Sequence, residues 1–391
     1  MNLFKKILLL PVLCCLQLAV LSQTDSCNLR ISLLTASPGE ELYSIFGHSA
    51  LRVTNVKAHT DIIYNYGSFQ FDDHFYYKFV KGGEQLQYYV AVEKFEDFMY
   101  EYRVFNRNVI EQILWLSCDE KEKLSAALQE NALEANKYYR YDFLFDNCST
   151  RLRDMVASNT SPPAGFKRIL PAKPPTFRDL IYEYLNRGKQ YWSKLGIDLL
   201  LGSRMDRPVK NEEAMFLPDY LMKGFDSALT KEAPLVQSKE MILPSTPSAS
   251  LEPAWLRPLG AGFLLLGLGV ILSFTKTRWA AKILPAFDRI FFFLLGATGL
   301  LLLFMWFGTD HALCANNYNL LWAMPTHLPI SFLLSSKKPF VQRYFLVCTG
   351  IYLILLLAWA FLPQGMNPAF LPIAALAGWR CYERFRKQDA I

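Results

Sequence analysis

From Trp255 to the C-terminus the chain is dominated by five apolar stretches: residues 258–274, 286–307, 319–335, 344–362 and 367–381. A stretch of this kind must either be buried in a large core or cross a bilayer, and the loop charges decide which. Lys276, Arg278, Lys282 and Arg289 follow the first stretch. Lys337, Lys338 and Arg343 follow the third, and Arg380, Arg384, Arg386 and Lys387 close the chain. The intervening loops, 308–318 and 363–366, hold no Lys or Arg, and only Arg257 lies near the outer edge of the first stretch. This one-sided count fits five membrane spans with a cytoplasmic C-terminus and everything before Trp255 exported. The net charge of +6 resides largely at those cytoplasmic ends. With no basic stripe or finger spacing, it does not point to nucleic acid.

The N-terminus agrees. Two lysines precede the apolar run of MNLFKKILLLPVLCCLQLAVLSQ, with Val20 and Ser22 before Gln23. That is the layout of a secretory signal, residues 1–22. Cys14 and Cys15 leave a lipoprotein signal as an alternative, and an uncleaved anchor gives the same topology. The exported domain then covers 23–232, and the Pro/Ser-rich stretch 233–254 reads as a linker to the transmembrane domain, 255–391.

The expected class of the exported domain is α+β. Residues 27–57, 60–69, 85–93 and 106–117 carry strand patterns, with a hairpin expected between the second half of the first stretch and 60–69. FEDFMYEYRVF, 118–138, 177–186 and 213–229 have helical spacing. Of the cysteines, Cys27, Cys118, Cys148 and Cys314 face an oxidising compartment in this topology. A Cys27–Cys118 disulfide is the simplest pairing. Cys148 is then left over.

Cys148 lies in YDFLFDNCSTRLRDM, residues 141–155. Asp146 and Asn147 are good N-cap residues, and STRLRDMVA continues as a helix. A thiol at a helix N-terminus, with Arg151 and Arg153 nearby in sequence, favours the thiolate, the form that attacks carbonyls. Its backbone N–H with a neighbour, from Asn147 to Ser149, is the candidate oxyanion donor set. A thiolate needs a proton carrier. The exported domain has three histidines, His48, His59 and His74. His59 falls in the hairpin turn and His74 in the aromatic stretch DDHFYYKFV. His48 opens a strand between small residues in FGHSALRV. Asn65, on the partner strand of the hairpin, is the candidate orienter of its imidazole, with Asp61 and Tyr66 as substitutes. No spacing suggests a metal, no Gly-rich phosphate loop or GxSxG elbow occurs, and no cofactor is expected. On the outer side of the membrane half, Asp310, His311, Asn317, Asn319 and His327 are polar residues at a depth where polarity usually lines a cavity. They are candidate substrate-facing residues.

The order of these residues resembles the circularly permuted NlpC/P60 superfamily, which includes the lecithin:retinol acyltransferase-like proteins. A Gly47-His48 strand comes first, and an Asn147-Cys148 helix follows one hundred residues later. More narrowly, FGHSALRV, YNYGSF, FLFDNCSTRLRD, LGIDLLLGSRMDRP and TDH…NNYNLLW together resemble the Lnb family, the lipoprotein N-acyltransferases of Bacteroides type. That resemblance implies a permuted papain-like exported domain on a five-helix transmembrane domain in the inner membrane. It also implies transfer of an acyl chain from a phospholipid to the α-amino group of a diacylglyceryl-cysteine lipoprotein, with Cys148 as nucleophile and His48 as base. The alternatives are a cell-wall peptidase or amidase using the same dyad, and a non-enzymatic lipid-handling or transport protein.

Overall fold

A computed structural model describes residues 27–69, 81, 87–231, 233–246 and 257–388. The signal segment, His74 and DDHFYYKFV lie outside the described residues. The exported domain begins with β1 (Leu29–Ala36), β2 (His48–Asn55), β3 (Thr60–Ser68) and β4 (Gln87–Lys94). Next come α1 (Phe95–Val104), β5 (Val109–Leu114), α2 (Cys118–Asn131), β6 (Tyr138–Arg140) and α3 (Cys148–Ser158). Helices α4 (Phe177–Arg187), α5 (Tyr191–Leu200) and α6 (Pro218–Ser227) precede β7 (Leu229–Thr230), β8 (Ala233–Pro234) and β9 (Val236–Leu243).

Seven strands form one antiparallel sheet in the order β6-β4-β3-β2-β1-β5-β9. Strand alternation divides the core between its two faces. Ile31 and Leu33 of β1 pack with Leu124 and Leu128 of α2, Leu152 and Val156 of α3, and Leu221 and Phe225 of α6. Leu34 and Ala36 face the other way, onto Phe98, Met99 and Tyr102 of α1. The expected β2–β3 hairpin forms, with Asn55 opposite Thr60. Cys27 and Cys118 are bridged, tying the entry of β1 to the start of α2 across a sequence separation of 91.

Three expected boundaries move. The helix expected over 118–138 ends at Asn131, because Asn136 Nδ2 caps the Glu130 carbonyl at 2.9 Å and the chain returns as β6. The helix expected over 213–229 is cut in two, a 3₁₀ turn Glu213–Phe216 followed by α6, whose first residue is Pro218. The stretch 233–254 is not linker throughout. Its first part includes β9, which pairs with β5 at the sheet edge. Its mostly exposed side chains explain why composition alone reads as linker.

The apolar half holds α7 (Pro258–Phe274), α8 (Arg278–Phe307), the five-residue α9 (His327–Ser331), α10 (Pro339–Ala358) and α11 (Phe370–Gln388). Among the described residues, Arg278–Phe307 and Pro339–Phe361 are long and apolar enough to cross a membrane, and α7 is a shorter apolar helix. The expected third span, 319–335, is not a continuous helix. It consists of the 3₁₀ turn Tyr318–Leu321, a turn containing Pro325, and α9. Proline removes an N–H donor and clashes with the preceding turn, so Pro325 and Pro329 break it. The groups this frees are bonded internally. Tyr352 Oη donates to the Trp322 carbonyl at 2.7 Å and so accepts from His327 Nε2 at 2.8 Å. His327 Nδ1 then accepts from Tyr344 Oη at 2.7 Å. His327 is therefore a buried, fully bonded imidazole rather than a substrate-facing one. A charged cluster is handled the same way: Asp288 of α8 accepts from Arg380 at 2.7 and 2.9 Å and from Arg384 at 2.7 Å, both on α11.

The two halves meet at α5. Leu195, Leu199 and Leu200 pack on the apolar-half core, while Ile197 and Leu201 pack on the core around α4. Between them Asp198 is buried. It accepts from Arg178 Nη1 at 2.9 Å, Tyr182 Oη at 2.6 Å and Asn367 Nδ2 at 2.7 Å. Arg178 Nε reaches Asp206 at 2.8 Å. Asn317 Nδ2 donates to the Leu199 and Leu200 carbonyls at 2.8 and 3.0 Å, and Asn319 Nδ2 to the Asp198 carbonyl at 2.8 Å. These are the carbonyls that a helix end leaves unpaired. Asn317 and Asn319 are thus clamp residues, not substrate-facing ones. Asp310 is exposed, and its N–H bonds the Lys81 carbonyl at 3.0 Å; His311 beside it is half-buried. Gly202 completes the joint. A Cβ there would lie 1.9 Å from the Ala315 carbonyl oxygen.

Asp198→Ala removes one of the two carboxylates that hold the buried Arg178 guanidinium, leaving Asp206, and unpairs Tyr182 and Asn367. Breaking a buried ion pair costs about 3 kcal/mol or more. The variant is therefore expected to melt well below wild type in detergent micelles, with Gly202→Ala behaving alike. An unchanged melting temperature for both would contradict this account of the joint.

Candidate active site

Two glycines shape the ground on which the site stands. Gly47, at φ +83°, turns the chain into β2, and a Cβ there would meet the Ala36 carbonyl at 2.9 Å. Gly67, at φ +89°, sits where the β3–β4 register shifts between Tyr66 and Ser68. Its missing side chain faces the thiol residue: a Cβ would lie 3.6 Å from Cys148 Cβ. Both positions are left-handed and suit glycine. The paired register of β2 and β3 ends at Leu51 opposite Tyr64, short of His48 and Asn65. Cys148 is placed at this unpaired end.

Asn147 places the thiol. Its Oδ1 accepts from Thr150 N at 3.0 Å, and its own N–H donates to Thr150 Oγ1 at 2.8 Å, a reciprocal cap on α3. Its Nδ2 is held by the Phe143 and Phe216 carbonyls at 2.9 and 2.8 Å. The donors of Asn147 are thus occupied, and it acts as a cap rather than as an oxyanion donor. The N–H groups of Cys148 and Ser149, in the first turn, have no carbonyl one turn back. Ser149 Oγ lies 3.8 Å from Cys148 Sγ and 3.5 Å from Ser49 Oγ.

His48 and Asn65 continue the α1-facing rows of β2 and β3 marked by Ala50 and Ile63. His48 Nε2 and Asn65 Oδ1 are 2.6 Å apart, so the ring nitrogen donates to the amide oxygen. The other nitrogen, Nδ1, is left for the thiol, and the His48 imidazole and the Cys148 thiol act on each other's charge. Burial alone pushes the Cys148 thiol up. The imidazole's charge and hydrogen bond, with help from the Ser49 N–H and the Ser149 hydroxyl, bring it below the usual thiol value. Burial likewise lowers His48, and the thiolate's charge and hydrogen bond, with Asn65, raise it above its ordinary value in spite of a nearby Arg107. Both shifts run in the direction that favours thiolate and imidazolium.

The other sequence candidates lie elsewhere. Asp61 pairs with Arg52 at 2.6 Å, and Tyr66 Oη bonds Asn131 at 2.9 Å. His59 is exposed in the β2–β3 turn. Arg151 and Arg153 are held by Asp146 at 2.6 Å and Asp154 at 2.7 Å, so His48, not these arginines, acts on the thiol. Sequence reasoning did not single out Glu93, which accepts from Asn65 Nδ2 at 2.8 Å, nor Tyr139. The Tyr139 hydroxyl is buried without a hydrogen-bond partner among the described residues, 4.0 Å from the point a Gly67 Cβ would occupy. Both come from strands that reach the site only through sheet pairing. No group of three metal-ligating side chains occurs among the described residues.

Comparison with known families now has a geometry to attach to. Residues 17–184 match the Lnb N-terminal periplasmic domain, and residues 250–388 match the Lnb transmembrane domain. The chain belongs to the Lnb family. It is a membrane protein with an N-terminal periplasmic domain and a C-terminal transmembrane domain. No curated protein and no solved structure matches it, so the likeness to the permuted NlpC/P60 superfamily rests on residue order alone. In this Lnb chain both family matches converge on the clamp: Arg178 lies in the first, and Asn317, Asn319 and Asn367 in the second.

The lowered thiol and raised imidazole have a direct consequence for reactivity. Thiolate persists as pH falls below the ordinary thiol range, and imidazolium persists as pH rises past its own. Iodoacetamide should therefore modify Cys148 at pH 7 faster than a free thiol of pKa about 8.5. His48→Ala should abolish the advantage. Equal rates in wild type and His48→Ala would sink the ion pair.

Proposed function

We propose that this Lnb chain is a lipoprotein N-acyltransferase that works through a Cys148 thioester. The observation that carries the reading is the Cys148–His48–Asn65 constellation in a periplasmic domain clamped onto a transmembrane domain. A hydrolase of soluble cell-wall peptides has no need of that attachment. In this reading the five apolar segments, the third of them broken, put the C-terminus in the cytoplasm and the thiol at the outer leaflet of the inner membrane. The chain order His48 before Cys148 fits a permuted papain-like domain.

The chemistry follows from the residues. Cys148 thiolate adds to an ester carbonyl of a phospholipid, and the carbonyl π electrons move onto oxygen. The first-turn N–H of Cys148 and the partnerless Tyr139 hydroxyl are the donors for that oxyanion. When the tetrahedral species collapses, the C–O bond breaks and His48 imidazolium protonates the departing lysophospholipid alkoxide. The α-amine of the diacylglyceryl-cysteine then attacks the thioester. His48 removes its proton, the C–S bond breaks, and an amide and the thiolate remain. A thioester lies above an amide in free energy, so no nucleotide is consumed. Asn65 keeps the ring oriented through both half-reactions.

Mass spectrometry of lipoprotein N-termini, in cells lacking the gene and complemented with variants, tests this. Wild type should restore the third acyl chain, and Cys148→Ser and His48→Ala should not. Restoration by Cys148→Ser would overturn the thioester. Tyr139→Phe should lower the transfer rate by about 100-fold, the order lost with one oxyanion donor.

A further inference from the structure

β4 lies beside β3, and its α1-facing row brings a carboxylate to the back of the site. Glu93 is opposite Ile63, and Asn65 is opposite Ala91, so the two polar residues are diagonal neighbours on one face. Asn65 Nδ2 donates to Glu93 Oε1 at 2.8 Å, and Asn65 Oδ1 meets His48 Nε2 at 2.6 Å. An amide by itself can present either end to an imidazole. An ionised carboxylate has no proton to give and accepts only the NH₂ end.

We propose, building on the acyltransferase reading, that Glu93 is a positioning residue. By holding the Asn65 amide in one orientation, it fixes His48 as the Nε2–H tautomer and leaves Nδ1 free to take the Cys148 proton. The chain of donors then runs one way, from Cys148 through His48 and Asn65 to Glu93. Burial raises the Glu93 carboxyl above its ordinary value; in its ionised form its charge favours imidazolium, against Arg107, which faces His48 with the opposite effect. From α1, Glu101 and Asp97 face Glu93. Replacement by Gln keeps the shape, removes the charge and restores the amide ambiguity.

The test is the pH profile of Cys148 alkylation by iodoacetamide in the full-length protein in detergent. Wild type, Glu93→Gln, Asn65→Ala and the double variant are compared, each with its melting temperature. Glu93→Gln should retain the wild-type melting temperature, move the profile to higher pH and slow alkylation at pH 7 by about tenfold, as outer partners of ligating histidines do. Asn65→Ala should lose at least as much, and the double variant no more than Asn65→Ala, because Glu93 acts through Asn65. A Glu93→Gln profile that superimposes on wild type, or losses that multiply in the double variant, would overturn this role. An inert thiol in wild type would instead overturn the acyltransferase reading itself, and this role with it.

Discussion

The buried carboxylate of Asp198 is the point on which the two halves of the chain depend. Alone, a charge in that position would cost several kcal/mol. It is tolerated because α4 supplies Arg178 and Tyr182 and the transmembrane domain supplies Asn367. Arg178 and Tyr182 reach Asp198 within the periplasmic domain, and Asn367 reaches it only when the two domains are joined. The same contact gives the loops that lead into His48 and Cys148 a rigid footing. Ile45 and Phe46 before His48, and Phe143 and Leu144 before Cys148, pack with Phe177, Leu180 and Leu185 of α4, the helix that carries Arg178. Cys148 and His48 are thus referenced to the transmembrane domain through one hydrophobic cluster, the Arg178–Asp198 ion pair and the Asp198–Asn367 hydrogen bond.

The site itself is assembled from local rules and one topological accident. The reciprocal Asn147–Thr150 cap starts α3 where Cys148 must be. Gly67 leaves the space its neighbours need, and the end of β2–β3 pairing exposes His48 and Asn65 beyond the ladder. None of these devices uses the side chains of Cys148, His48 or Asn65, which leaves those three free of structural duty. Asn147 shows the reverse: it is polar and adjacent to the thiol, but its side-chain donors are both engaged by carbonyls.

These differences decide what could be read from sequence. Cys148 was legible because cap residues precede it and a helical pattern follows. His48 was legible because histidine is scarce and small residues flank it. Asn65 followed from a hairpin, a short-range structure with a recognisable turn. Glu93 and Tyr139 were not legible, since β4 and β6 join the site through pairings that no local pattern encodes. The partners of Asn317, Asn319 and His327 in the transmembrane domain were not legible for a related reason. Polarity at membrane depth shows that a partner is required, not which one. For Asn317 and Asn319 the partners are backbone carbonyls of α5, and for His327 they are two tyrosine hydroxyls.

The position of β9 changes how the two domains are connected. Because the sheet extends to Leu243 and α7 begins at Pro258, the covalent tether between them is only the short remainder of the chain. The clamp at Asp198 is a second, non-covalent attachment made by residues far from that tether. Such an arrangement behaves as an intramolecular complex, in which tether length sets the effective concentration and the clamp sets the intrinsic affinity. A short tether makes that concentration high, so a clamp of modest strength is enough to keep the domain seated. Cutting the backbone between Leu243 and Pro258 would turn one equilibrium into another: the periplasmic domain would remain bound only as tightly as its clamp allows, and its release would depend on dilution.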